Sequence, residues 1–101
     1  MLEELRRELE EIDREILALI SRRAEVALRI GRVKAQNGIP LHLPQREEEV
    51  IAQVVRANPG PLGPKAVERI FRRIVAETRR LEEEVVRDDR GDAPRGNTGT
   101  D

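Results

Sequence analysis

The chain reads as an all-α protein: three helices, the first of them very long, in a helical homodimer. Three observations lead there. Apolar residues at Leu2, Leu5, Leu9, Ile12, Ile16, Leu19, Val26, Ile30 and Val33 alternate steps of three and four, which is a heptad seam. Of 101 residues, 39% are charged and 38% hydrophobic but only 1% aromatic, a composition suited to long helices packed by aliphatic side chains. Two clusters of helix-breaking residues, Asn37-Gly38 and Asn58 to Pro64, divide the sequence into three periodic runs. Its length suits one domain, and the periodicity assigns residues 1–86 to it and 87–101 to a disordered tail.

Helix 1 is expected from Leu2 to Asn37. At 1.5 Å per residue, ~36 residues make a rod of roughly 54 Å, whereas a compact globule of ~100 residues has a radius of gyration near 13 Å. The rod outruns its own domain. A seam that stays apolar along such a rod needs a second chain to cover it, most simply in a twofold dimer. Glu-to-Arg neighbours four apart, such as Glu10 with Arg14 and Glu25 with Arg29, support the outer faces by a few tenths of a kcal/mol each. Gly31, inside the pattern, costs near 1 kcal/mol relative to Ala; it is either a point of close approach or a tolerated glycine.

Asn37-Gly38 suits a left-handed helix end. Pro40 and Pro44 bracket a short extended linker, and Pro44 is well placed as the first residue of helix 2, expected from Pro44 to about Ala57. Its apolar face is Val50, Ile51, Val54 and Val55, and Glu47 shares that face. A carboxylate one turn from a helix start is either a dipole partner or an acceptor for a ligand, and position alone leaves both open. Asn58-Pro59-Gly60-Pro61-Leu62-Gly63-Pro64 reads as a tight, stiffened turn. Helix 3 is expected from about Pro64 to Val86, with Val67, Ile70, Phe71, Ile74, Val75, Leu81 and Val85 on one stripe. Thr78 interrupts that stripe and Glu82 follows one turn on. From Arg87 onward no apolar period remains.

Nineteen basic against twenty acidic residues give a net charge of -1, with the signs interspersed, which argues against a nucleic-acid surface. With no cysteine there is no disulfide, thiolate nucleophile or zinc cluster, and a reducing cytoplasm is the plainest expectation. The first residues carry charge at once and no long apolar run follows, so neither signal peptide nor membrane span is expected. The lone histidine, His42, falls in the linker and reads as a surface residue. No carboxylate pair or histidine cluster has metal-ligand spacing. Nucleophilic, metal-assisted and ordinary acid-base chemistry are poorly supplied; orientation and electrostatic stabilisation remain.

The seam position between Leu19 and Val26 is held by Arg23, and an arginine cannot shed its proton to enter a core, so it needs an anion in front of it. Lys34, eleven residues later, returns to within ~20° of the same direction, about 16 Å along the axis. Two such side chains can converge on one object. Arg6 lies 17 residues from Arg23, roughly 25 Å away, and can reach the same object only from a partner helix running antiparallel. The alternative is a buried pair of Arg23 with Glu47 or Glu82, with Lys34 and Arg6 as solvated flanks. Thr78 and Glu82 also break an apolar stripe, and several inward polar groups are costly without a purpose. The set fits a small anion with more than one carboxylate, held by charge-assisted hydrogen bonds.

Leu5-Arg6, Ile12-Asp13, Leu19-Ile20-Ser21-Arg22-Arg23, Ile30-Gly31-Arg32-Val33-Lys34, Gly38-Ile39-Pro40 and Pro44-Gln45-Arg46-Glu47 together resemble the all-helical class of chorismate mutase. The likeness covers about residues 2–86. It implies rearrangement of chorismate to prephenate without cofactor or covalent intermediate, in an intertwined homodimer of three-helix chains with two shared sites. By the same resemblance, Arg23 would bind one substrate carboxylate and Arg6 of the other subunit the second. Lys34 would hold the ether oxygen and a carboxylate oxygen, Arg46 would support the charge network, and Glu47 would accept from the ring hydroxyl. Thr78 stands where the family often has a serine that helps a carboxylate.

Two departures stand out. Glu82 occupies a position where the family often has glutamine, and a carboxylate can donate to the ether oxygen only when protonated, so a raised pKa is expected there. Leu43 stands where an aspartate is common; the family uses that position's backbone N–H for the ring hydroxyl, which a leucine still supplies. Isochorismate pyruvate lyase, on the same scaffold, is the alternative activity. A non-enzymatic coiled-coil dimerisation module explains the heptads but leaves Arg23, Thr78 and Glu82 without a role. The length leaves no room for a second catalytic or effector domain, so a monofunctional enzyme is expected unless it partners another pathway enzyme or was cut from a longer protein.

Overall fold

The computed structural model describes residues 1–89 and contains three helices: α1 (Leu2–Gln36), α2 (Pro44–Ala57) and α3 (Pro64–Asp89). The longest extent of the molecule is 53 Å, the length of a 35-residue helix at 1.5 Å per residue. The radius of gyration, 17.4 Å, exceeds the ~13 Å of a compact chain of this size. α3 packs on α1 and on α2, while α1 and α2 do not pack on each other. α3 is therefore the element through which the other two are held in register.

The breaks fall where the residue types require them. At the end of α1, Asn37 Nδ2 donates to the Val33 carbonyl at 2.8 Å, and Gly38 takes φ +69°, a conformation that costs glycine little. Pro44 opens α2, where its missing N–H is one the helix would not use. In the second turn, Asn58 Oδ1 accepts from Gly60 N at 2.9 Å and Asn58 Nδ2 donates to the Leu62 carbonyl at 2.7 Å, closing a loop that contains a cis Gly60–Pro61 bond.

Two boundaries differ from the sequence expectation. α1 ends at Gln36, one residue earlier, and α3 continues through Arg87 and Asp88 to Asp89. The extension has a partner: Arg32 Nε on α1 donates to Asp89 Oδ2 at 2.9 Å. The remainder of the expected tail, from residue 90, lies outside the described residues. The stripe of α3 also runs slightly differently, with Val86 at 4% exposure as its most buried apolar residue and Ile70 exposed. Thr78, Glu82 and Val86 are spaced by four and share the buried face.

The core of a single chain is thin. Ile51, Val67 and Val86 are its buried hydrophobic side chains among the described residues, and none falls below 2% exposure. Nearly all of the α1 seam is open, including Leu2, Leu5, Leu9, Ile12, Ile16, Leu19, Val26, Ile30 and Val33; Leu9 and Leu19 are 60% and 61% exposed. Soluble monomers rarely leave so long an apolar stripe uncovered.

Candidate active site

A cavity of about 540 Å³ opens between the C-terminal half of α1, the α1–α2 linker, the start of α2 and the middle of α3. Its walls carry Arg23, Val26, Ala27, Ile30 and Lys34 from α1, Leu41 and Leu43 from the linker, Arg46, Glu47 and Val50 from α2, and Val75, Thr78, Arg79 and Glu82 from α3. Seven of the eight residues singled out from the sequence meet here. Arg6 does not; its side chain is 64% exposed, with Glu3 of its own helix 3.8 Å away.

Arg23 reaches across from α1 and donates from Nη1 to Thr78 Oγ1 at 3.5 Å, while that hydroxyl donates to the Ile74 carbonyl at 2.6 Å. The threonine thus spends its proton on its own helix and turns a lone pair towards the guanidinium. Lys34 Nζ donates to the Leu41 carbonyl at 3.3 Å, which ties the linker to α1. The expected alternative, a buried pair of Arg23 with Glu47 or Glu82, is not what forms. Neither Arg23 nor Lys34 has a carboxylate partner among the described residues, because Glu47 is held by Arg79 at 2.8 Å. Two cations therefore face one cavity without an ion-pair partner among the described residues.

Glu82 is 9% exposed. Burial pushes its pKa above the ordinary carboxylate value; Lys34 and Arg23 oppose that push, and the charges of Glu47 and Glu83 add to it. Desolvation dominates, so the fold shifts Glu82 towards its neutral form. Gly31 explains itself here. A Cβ at that position would lie 3.4 Å from Glu82 Cγ, in van der Waals contact, so α1 passes close against the Glu82 side chain at the glycine.

Leu43 caps α2 from its main chain, its carbonyl accepting from Glu47 N at 3.1 Å. Arg46 lines the cavity, but its guanidinium pairs with Glu49 at 3.1 Å on the solvent side. Arg79 was not anticipated. From Nη1 it donates to both oxygens of Glu47, at 2.8 and 3.0 Å. Its signal was present in the sequence, since Val75, Arg79 and Glu82 follow the four-three spacing of a single helix face. His42 Nε2 lies 3.6 Å from Glu47 Oε1, so the linker histidine borders the site.

The arrangement can take a small dianion. It offers two unpaired cations, a hydroxyl, a neutral-leaning carboxyl and an anchored carboxylate within apolar walls. Fold and site together define an all-helical protein with a cation-lined pocket, and the likeness to known proteins is narrower still. The chain belongs to the chorismate mutase type II family, whose model matches residues 5–83. It is 38% identical over 88 residues to the bifunctional chorismate mutase/prephenate dehydratase of Aquifex aeolicus, covering 83% of this chain and 24% of that protein. It is 32% identical over 78 residues to the T-protein of Haemophilus influenzae, covering 76% of this chain and 21% of that one. This chain thus spans about a quarter or less of those two relatives. A solved structure of chorismate mutase (form II) from Thermus thermophilus superposes with a TM-score of 0.79 at 36% identity, covering 81% of this chain and 93% of that chain. Among the described residues no helix is long and apolar enough to cross a membrane.

Proposed function

We propose that this chain is a chorismate mutase of aromatic amino-acid biosynthesis, rearranging chorismate to prephenate in the cytoplasm without a cofactor. The observation that carries the reading is the pair of unanswered cations, Arg23 and Lys34, facing one cavity with Thr78 and the buried Glu82. In the rearrangement the ether C–O bond breaks as a C–C bond forms, and negative charge gathers on the ether oxygen. Lys34 and protonated Glu82 donate to that oxygen, and they stabilise the transition state more than bound substrate. Arg23 holds one carboxylate, and Glu47 accepts from the ring hydroxyl. Bound in its compact chair, the substrate has already lost most of the freedom the reaction must remove.

The second carboxylate needs a further cation, and Arg6 supplies it from a partner subunit. Arg6 lies some 25 Å along α1 from Arg23, too far to serve its own cavity. Val26 and Ile30 belong both to the open seam and to the cavity wall, so a second copy laid along the seam also closes the site. Each large seam residue so covered is worth roughly 1.5–3 kcal/mol when fully buried.

The test is the disappearance of chorismate, followed by absorbance, with isochorismate supplied in parallel. Prephenate formation is expected; faster consumption of isochorismate with release of pyruvate would move the assignment to isochorismate pyruvate lyase. Arg23→Leu separates enzyme from scaffold. Loss of the clamp that orients a substrate carboxylate should lower kcat/KM on the order of 10²-fold, while the unfolding temperature holds or rises because a half-buried cation has become apolar.

A further inference from the structure

Arg79 is a cation of the cavity wall that the reaction as derived above does not use, and unlike Arg46 it pairs with a second residue of that wall. Its geometry differs from that of Arg23 and Lys34. A single nitrogen, Nη1, lies 2.8 and 3.0 Å from the two oxygens of Glu47, and both side chains are largely covered, at 30% and 24% exposure. α2 packs on α3 alone, so the carboxylate of Glu47 is oriented by the group that α3 sets against it. Two ion pairs join the helices. Arg72 and Arg79, two turns apart on α3, grip the adjacent Glu48 and Glu47 on α2. The Arg72–Glu48 pair is the more exposed and stands outside the cavity; the Arg79–Glu47 pair forms part of its wall.

We infer that Arg79 is a positioning residue that fixes the Glu47 carboxylate towards the cavity, so that Glu47 meets the ring hydroxyl of the substrate already oriented. Without Arg79 the carboxylate is held only by the neighbouring His42 at 3.6 Å, on a linker outside the helices. Glu47 is then free to rotate, and an acceptor that must be ordered at the moment of binding contributes less affinity than one ordered beforehand. The inference rests on the chorismate mutase reading, because it assigns a task to the carboxylate that reading uses.

A double-mutant cycle tests it, with kcat and KM measured for the wild type, Arg79→Leu, Glu47→Gln and the double variant, and with Arg79→Lys and Arg72→Leu alongside. Arg79→Leu should lower kcat/KM roughly tenfold, mainly through KM, and Arg79→Lys should recover part of the loss. In the Glu47→Gln background the same change should cost less than about threefold, because the group it acts through is gone. Arg72→Leu removes an interhelical pair of the same kind and should leave both constants unchanged, separating positioning from helix docking. Equal losses from Arg79→Leu in both backgrounds, or no loss in the wild-type background, would overturn this inference while leaving the mutase reading intact. A wild-type chain that leaves chorismate untouched would overturn both.

Discussion

Glu82 carries the sharpest consequence of single-residue chemistry in the site. Its burial is nearly complete and its pKa is raised, with Lys34 and Arg23 pulling against desolvation and Glu47 and Glu83 reinforcing it. A group whose folded pKa is raised stabilises the fold below its unfolded value and loses that contribution as pH rises through the folded value. The same titration removes the proton that Glu82 would donate to the ether oxygen in the proposed reaction. Activity should therefore fall as pH rises above the ordinary carboxylate range, and thermal stability should fall with it. Glu82→Gln keeps a donor that does not titrate, so the pH–rate profile should flatten and the variant should be the more stable protein in alkaline buffer. A kcat/KM profile with the same decline in the variant would show that another group is responsible. Gly31 is coupled to this residue. Gly31→Val places branched carbon against Glu82 Cγ, where a Cβ alone already sits at 3.4 Å. Its expected effect is a loss of kcat of tenfold or more, a rough figure for displacing one preorganised donor, with the helical content by circular dichroism retained.

At the scale of the helix, much was legible because local signals agreed with one another. The heptad seam, the Asn37-Gly38 stop and Pro44 at a helix start each name a boundary by its own physical cause, and the observed ends of α1 and the start of α2 fall within a residue of them. Arg23, Lys34, Thr78 and Glu82 were legible as polar interruptions of apolar faces, and the cavity gathers all four. What escaped depended on contacts between helices. The reach of α3 to Asp89 is accompanied by an ion pair to Arg32, 57 residues away in sequence, and no periodicity within α3 signals it. Glu47 could not be told from a dipole partner by position, since its decisive neighbour, Arg79, stands on another helix.

A 53 Å rod with an open apolar seam, a thin core and a cavity whose wall includes that seam together support the proposal of a site shared between two copies. If folding and dimerisation are linked, the unfolding temperature should rise with protein concentration, and Ile16→Asp, in the middle of the seam, should abolish the dimer in sedimentation and lower stability by several kcal/mol, on the order expected for an unpaired charge in an interface. The in-trans role of Arg6 admits a stricter test by mixing. Arg6→Ala and Arg23→Leu should each be nearly inactive alone, because every site in either homodimer lacks one clamp. Unfolded together and refolded, about half of the dimers pair one variant with the other by random association, and in each of these one site draws its Arg23 and its Arg6 from the unaltered positions of the two chains while the other site lacks both. About a quarter of the wild-type sites are then whole, and turnover should recover to about a quarter of the wild-type rate. Were Arg6 to serve the cavity of its own chain, every site in the mixture would carry one lesion and activity would stay at the level of the separate variants.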